Sequence, residues 1–220
     1  MKKGRKHICI IGLGFFGSGL ARALSKNSEV LAIDNDISRV DSISDYVQRA
    51  LSIDVKDFNA VSAVISDEID EAIVSIGEDL EASILCTLYL KRLGVPIIRS
   101  KASTDEHAEI LRSIGAHHII FPEVETAQRV ALQIINPNLI DLITLSTGYC
   151  ISDITAPSHF IDQSLVNLHI RNKYNIFIIA IKKSKETVDT FLPPPDYIIK
   201  KGDILEVIGK QEDIIKIQDE

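Results

Sequence analysis

Short apolar runs recur along the first half of the chain, each followed by a stretch whose apolar residues fall three or four apart. The runs have strand length and the stretches have helical period, so the pattern predicts strands alternating with helices. The run 7–11 leads into a helix over 18–26. The run 30–33 leads, past Asp34, into a helix over 37–44 with Ile37, Val40 and Ile43 on one face. A third strand is predicted over 47–53, and Asp57 is a natural cap for a helix reaching residue 65. Further on, 72–76 predicts a fourth strand, and 80–93 a helix with Leu80, Ile84 and Leu88 in register and Gly94 as its stop. Residues 95–99 then predict a strand, 105–114 a helix and 118–121 a sixth strand. Alternation with such short connections implies an α/β fold, a Rossmann-like parallel sheet with helices on both faces.

The period changes after Glu123. Residues 126–135 predict a helix that ends at Asn136-Pro137. Beyond it come β-like runs over 139–145, 177–181 and 204–208, divided by Pro193-Pro194-Pro195 and Lys201-Gly202-Asp203. A short helix over 164–171 and a terminal one over 212–218 complete the pattern. The division this suggests is a nucleotide-binding type domain over 1–136 and a small α+β domain over 137–220.

Between the first strand and its helix lies Gly12-Leu13-Gly14-Phe15-Phe16-Gly17. In such a loop the first glycine permits a tight turn, the second lets backbone approach a phosphate, and the third lets helix and strand pack closely. The helix N-terminus then offers unpaired N–H groups to an anion. Asp34 follows the first glycine by about 20 residues, where a carboxylate accepts from ribose hydroxyls. Asn35 comes next with no arginine beside it, which argues against a 2′-phosphate and hence against NADP. In a parallel sheet the ligand lies at the carboxyl ends of the strands, where Gly12, Asp34, Asp54, Gly77 and Arg99 are all expected.

Composition narrows the function classes. A net charge of −7 argues against non-specific nucleic-acid binding and against docking on anionic lipid. The basic cluster Lys2, Lys3, Arg5, Lys6 lacks the apolar stretch of a secretory leader, and no apolar run is long enough to span a bilayer, so a cytosolic chain is expected. Cys9, Cys86 and Cys150 are isolated in apolar surroundings and read as reduced buried thiols. His117 and His118, adjacent on a strand, face opposite ways and cannot chelate one ion. A NAD-dependent oxidoreductase is the competing class, but residues after 137 offer no evident acid/base pairing or substrate clamp.

The segments GLGFFG and AID, the strand ending in Asp54, VSIG–ASILCTLYLK and IGAHHIIFPE–TAQRVA resemble the RCK domain of Ktr/Trk-type potassium-uptake regulatory subunits. The stretch LVNLHIRNKYNIFIIAI … PPPDYIIKKGDILEVIG resembles the TrkA-C domain that follows it in that family. The resemblance implies a non-enzymatic gating ring: dimers assembling into an octamer on a membrane-embedded K+-translocating subunit, at the inner face of the cell membrane. It implies ATP/ADP or NAD(H) in the glycine-loop site, with Asp34 at the ribose, Asp54 and Val55 at the adenine, and Gly77 and Glu78 lining the site. Glu123 matches a carboxylate that helps hold a divalent cation, Mg2+ or Ca2+, near the phosphates. Arg171 and Asn175 fall where members bind cyclic di-AMP. Phe15 stands where many members carry an arginine that reads the terminal phosphate; its loss leaves Arg99, Lys101 or a metal at Glu123 to supply that charge.

Overall fold

The computed structural model describes residues 4–135, 139–144, 148–183 and 188–219. Its first sheet is built from β1 (His7–Ile11), β2 (Glu29–Asp34), β3 (Arg49–Ser52), β4 (Glu71–Val74), β5 (Ile97–Lys101) and β6 (His118–Ile120). The strands lie in the order β3-β2-β1-β4-β5-β6 and every pairing is parallel. The helices between them are α1 (Phe15–Leu24), α2 (Ile37–Ser44), α3 (Phe58–Ser62), α4 (Leu80–Arg92) and α5 (Asp105–Ile114). β1 pairs with both β2 and β4, so the order reverses beside β1 and leaves a crevice at its carboxyl end. The sheet is buried on both sides by two apolar clusters, one around Cys9, Ile11, Ile33 and Ile98 and the other around Ile8, Ile10, Ala32 and Ile43. This is the Rossmann-like sheet that the strand–helix alternation implies.

After the sheet comes α6 (Pro122–Ile135). It begins four residues ahead of the predicted start, because proline suits the first helical position, where its missing N–H is not needed. The chain divides into two compact units, Met1–Glu123 and Val124–Glu220, and the division falls near the start of α6.

The second unit contains an antiparallel sheet in the order β10-β9-β11-β8-β7. Its strands are β7 (Leu139–Thr144), β8 (Tyr149–Thr155), β9 (Phe177–Lys182), β10 (Val188–Phe191) and β11 (Ile204–Lys210), with α7 (Leu165–Leu168), α8 (Ile170–Tyr174) and α9 (Gln211–Asp219). β8 and β10 escaped the sequence reading. In β8 the inward positions are Cys150, Ser152 and Ile154, and the buried serine interrupts the apolar alternation. The helix expected over 164–171 is broken by His169, whose φ of 45° is left-handed and ends one turn before the next begins.

α4 also corrects an expectation. Leu80 is half exposed, and the buried face carries Ala82, Ser83, Cys86, Thr87 and Leu90. Small side chains let this helix lie close on the sheet, and Thr87 Oγ1 and Ser100 Oγ satisfy one another at 3.0 Å. The three cysteines are free and buried; desolvation pushes the Cys86 thiol up to about 12, well clear of thiolate chemistry at neutral pH. No helix among the described residues is long and apolar enough to cross a membrane.

Candidate functional site

β1 delivers the chain to Gly12, whose φ of +92° only glycine adopts without strain. A Cβ there would lie 3.0–3.1 Å from the Ser75 and Ile76 backbone, so the turn packs directly against the end of β4. Two bonds then fasten the loop to β2: Gly12 N–H donates to Ile33 O at 2.8 Å, and Leu13 N–H donates to Asp34 Oδ2 at 2.6 Å. Asp34 Oδ1 accepts from Asp36 N–H at 2.9 Å. Each carboxylate oxygen keeps further acceptor capacity, so Asp34 can anchor the loop and still accept from a ribose.

The helices that follow are each capped by a side chain: α2 by Asp36, α3 by Asp57, α4 by Asp79 and α5 by Thr104. α1 has Gly14 at its N-cap, with no side-chain cap and no acidic residue in its first turn. Its N–H groups and dipole are therefore left for an anion.

These elements surround a cleft of about 580 Å³, a volume suited to a nucleotide. Of the residues expected at the site, Gly12, Gly14, Phe15, Phe16, Asp34, Asn35, Asp54, Val55, Gly77, Glu78, Lys101 and Glu123 line it. Three do not. Leu13 turns its side chain into the core beside β1 and offers only its N–H to Asp34. Gly17 is a packing position, where a Cβ would fall 1.9 Å from Gly12 O. Arg99 is drawn away from the carboxyl ends of the strands by an ion pair to Glu71, the first residue of β4.

The structure adds residues that the sequence reading missed, chiefly Arg39, Lys56, Asp36, Asp79 and Ser75. Arg39 lies 3.7 Å from Asp34 and 3.5 Å from Asp36, one helical turn past the cap of α2. Lys56 Nζ reaches Asp79 and Glu81, each at 2.8 Å, linking the β3–α3 turn to the start of α4. These hydrogen bonds, Asp79's first, hold the Lys56 ammonium above the ordinary lysine range. The Ala82 N–H and then Lys56 hold Asp79 below the ordinary carboxylate range. Lys101 donates to Glu123, whose carboxyl is likewise held low. Their positions in turns and first helical turns are visible in the sequence, but nothing local announces that they converge. Ser75 Oγ is buried at the cleft with no hydrogen-bond partner among the described residues.

No three His, Cys, Asp or Glu side chains among the described residues gather as a ligand set, and Glu123 is occupied by Lys101. His117 Nδ1 accepts from Ile98 N–H at 3.0 Å, a structural bond within the sheet. In the second unit the Arg171 guanidinium lies 5.0 Å from the centre of the Phe177 ring, and Asn175 ends α8 in the left-handed region.

Gly14→Val separates the loop's binding role from its folding role. A Cβ at Gly14 meets nothing within 4 Å, and its φ of −64° suits any residue. The expected result is a melting temperature within about 2 °C of the parent and adenine-nucleotide affinity at least about tenfold weaker by calorimetry.

Comparison with known proteins adds a second line of evidence. The TrkA-N domain model matches residues 8–122 and the TrkA-C domain model residues 151–220. The chain is 39% identical over 215 residues to Ktr system potassium uptake protein C of Bacillus subtilis (strain 168), covering 97% of this chain and 96% of that one. It is 32% identical over 216 residues to Ktr system potassium uptake protein A of the same organism, covering 98% and 96%. Among solved structures, the GsuK channel bound to NAD superposes with a TM-score of 0.62 at 15% identity, over 99% of this chain. This chain spans 40% of that channel chain, and the likeness concerns the fold.

Proposed function

The chain belongs to the family of Ktr/Trk potassium-uptake regulatory subunits, with TrkA-N and TrkA-C domains, and from that premise we propose that it senses an adenine nucleotide in the cleft beside β1. Its family is one of transport regulators and not of enzymes. The observation that carries the nucleotide reading is the uncapped start of α1 facing the same cleft as Asp34. The phosphates lie on the α1 N–H groups, the ribose on Asp34, and the adenine against Asp54 and Val55. The relatives' roles in potassium uptake support a partner that is a membrane-embedded K+-translocating subunit, with this chain cytoplasmic and peripheral to the membrane. Copies of the chain form dimers that assemble into an octameric ring.

Regulation then requires differential binding: the ligand must favour one ring conformation over another, or it shifts nothing. Lys101 on β5 and Glu123 at the start of α6 offer a link from the cleft to the helix that leaves the sheet. A phosphate that takes Lys101 frees Glu123, either for solvent or for a divalent cation beside the phosphates. Cyclic di-AMP at Arg171 and Asn175 belongs to the same proposal for the second unit.

The test is a thermal-shift and light-scattering series with NADH, NAD+, ADP and ATP at millimolar levels. At least one should raise the melting temperature by several degrees and change the shape of an assembly larger than a dimer. No shift with any of the four overturns the reading, and so does hydride transfer from NADH by a monomeric protein.

A further inference from the structure

Three buried side-chain atoms have no hydrogen-bond partner among the described residues: Ser75 Oγ, Ser83 Oγ and His107 Nε2. They stand just past the end of β4, in the first turn of α4 and in the first turn of α5. Each costs free energy while it stays dry, so the seam between these helix starts gains from admitting water. His107 is the one of the three that can change charge.

The His107 residue is 3% exposed, and its Nδ1 accepts from Ser103 N–H at 3.3 Å. With Nδ1 as acceptor, the neutral ring carries its proton on Nε2, the atom without a partner. Ser103 in turn donates its Oγ–H to Gly77 O at 2.9 Å. Gly77 lines the cleft, two residues ahead of Asp79, the cap of α4. Ser103 thus joins the first turn of α5 to the loop that forms one edge of the cleft.

A proton on Nδ1 would remove the acceptor of the Ser103 N–H and set two donors face to face. The surroundings offer the new charge no partner. α5 packs on α4 and β6. On α4, Glu81 is held by Lys56, Cys86 is a neutral buried thiol, and Tyr89 donates to Lys56 O. Lys91 lies against Gly115 at the far end of α5, and Arg92 is exposed. On β6, His118 is exposed, and His117 just before it accepts from Ile98 N–H. On α5 itself Glu106 bonds Thr104, while Asp105, Glu109 and Arg112 are exposed. In the adjoining loops Asp79 is held by Lys56, Lys101 by Glu123, and Glu78 lines the cleft. Among the described residues none of these groups is bonded to His107 or paired with it. Burial pushes the ring below the ordinary histidine value. Its bond to Ser103 is therefore intact above that value and lost as pH falls through the lowered one.

We propose that His107 is a positioning residue for the cleft, switched by a proton: neutral, it fixes Gly77 and the start of α4 through Ser103; protonated, it releases Ser103 and lets water into the seam between α4 and α5. The edge that loosens carries Gly77, Glu78 and Asp79. The consequence for a ligand, weaker binding in acid, rests on the cleft taking an adenine nucleotide.

Hydrogen exchange of the full chain at about pH 7.5 and about pH 5.5, read by mass spectrometry and corrected for intrinsic rates, tests it on the parent, His107→Asn and Ser103→Ala. Asparagine keeps an acceptor near the Nδ1 position and takes no proton. In the parent, protection over 103–108 and over 80–84 should fall at least about fivefold in acid, and in His107→Asn less than about twofold. Ser103→Ala should keep the acid response over 103–108 but lose protection over 80–84 already at the higher pH. Comparing each variant with itself across pH removes any constant loss of stability. An equal acid response in the parent and His107→Asn overturns the inference, as does Ser103→Ala with 80–84 protected as in the parent. Calorimetry with NADH, NAD+, ADP and ATP should show parent affinity falling at least about threefold further in acid than that of His107→Asn, the ligand's own protonation cancelling between them. Equal falls overturn the positioning role. Binding of none of the four overturns instead the reading of the cleft, and the exchange result still decides His107.

Discussion

Gly17→Val is expected to destabilise the first unit by at least about 3 kcal/mol and to lower its melting temperature by roughly 10 °C. A Cβ at Gly17 would fall 1.9 Å from Gly12 O and 3.0 Å from both Gly12 C and Ser75 Oγ. The obstructing atom is backbone, and that backbone cannot swing aside. Gly12 N–H is bonded to Ile33 O, and the far side of Gly12 is packed on Ser75 and Ile76. Relief must come from shifting α1 off the sheet, which opens the core around Leu13 and Ala21. Thermal denaturation without ligand is the measurement. A melting temperature within about 2 °C of the parent would show that the helix does not depend on this approach. Gly14→Val, with open space at its Cβ, is the matched control for a bulky residue in the same loop.

Asp34→Ala should act on stability and binding together. It removes the acceptor of the Leu13 N–H and of the Asp36 N–H. Leaving a buried N–H unpaired costs about 1–3 kcal/mol, and loss of the ribose acceptor should weaken nucleotide at least about tenfold, about 1.4 kcal/mol. It also leaves Arg39 with Asp36 as its remaining carboxylate of the two. Asp34→Asn, with one acceptor oxygen, should recover part of the stability while remaining weak in nucleotide binding. Denaturant unfolding without ligand and calorimetry with ligand separate the two effects. Unchanged values in both for Asp34→Ala would remove this residue from the loop and from the site.

Much of the first sheet was legible because its information is local. Strand-length apolar runs, helical spacing, the cap at Asp57 and the glycine turn each depend on a few neighbouring residues, and each has a mechanism that operates within a turn or two. The second unit was harder to read for the same reason in reverse. β8 carries a buried serine, and the helix over 164–171 breaks at His169. Its ion pairs, such as Lys182 with Asp153 and Glu206, join three strands that are far apart in sequence.

By itself the sequence determined that a Rossmann-type unit is present, that an open helix start follows a glycine turn, and that an acid stands at the end of the second strand. Tertiary structure alone decided which charges meet. It sent Arg99 to Glu71 and brought Lys56 to Asp79 and Glu81, and Lys101 to Glu123, pairings that span more than 20 residues. The physical reason is that a backbone turn is set by torsions and neighbours within a few residues. The neighbour of a long charged side chain is set by strand order and register, which the whole sheet fixes together.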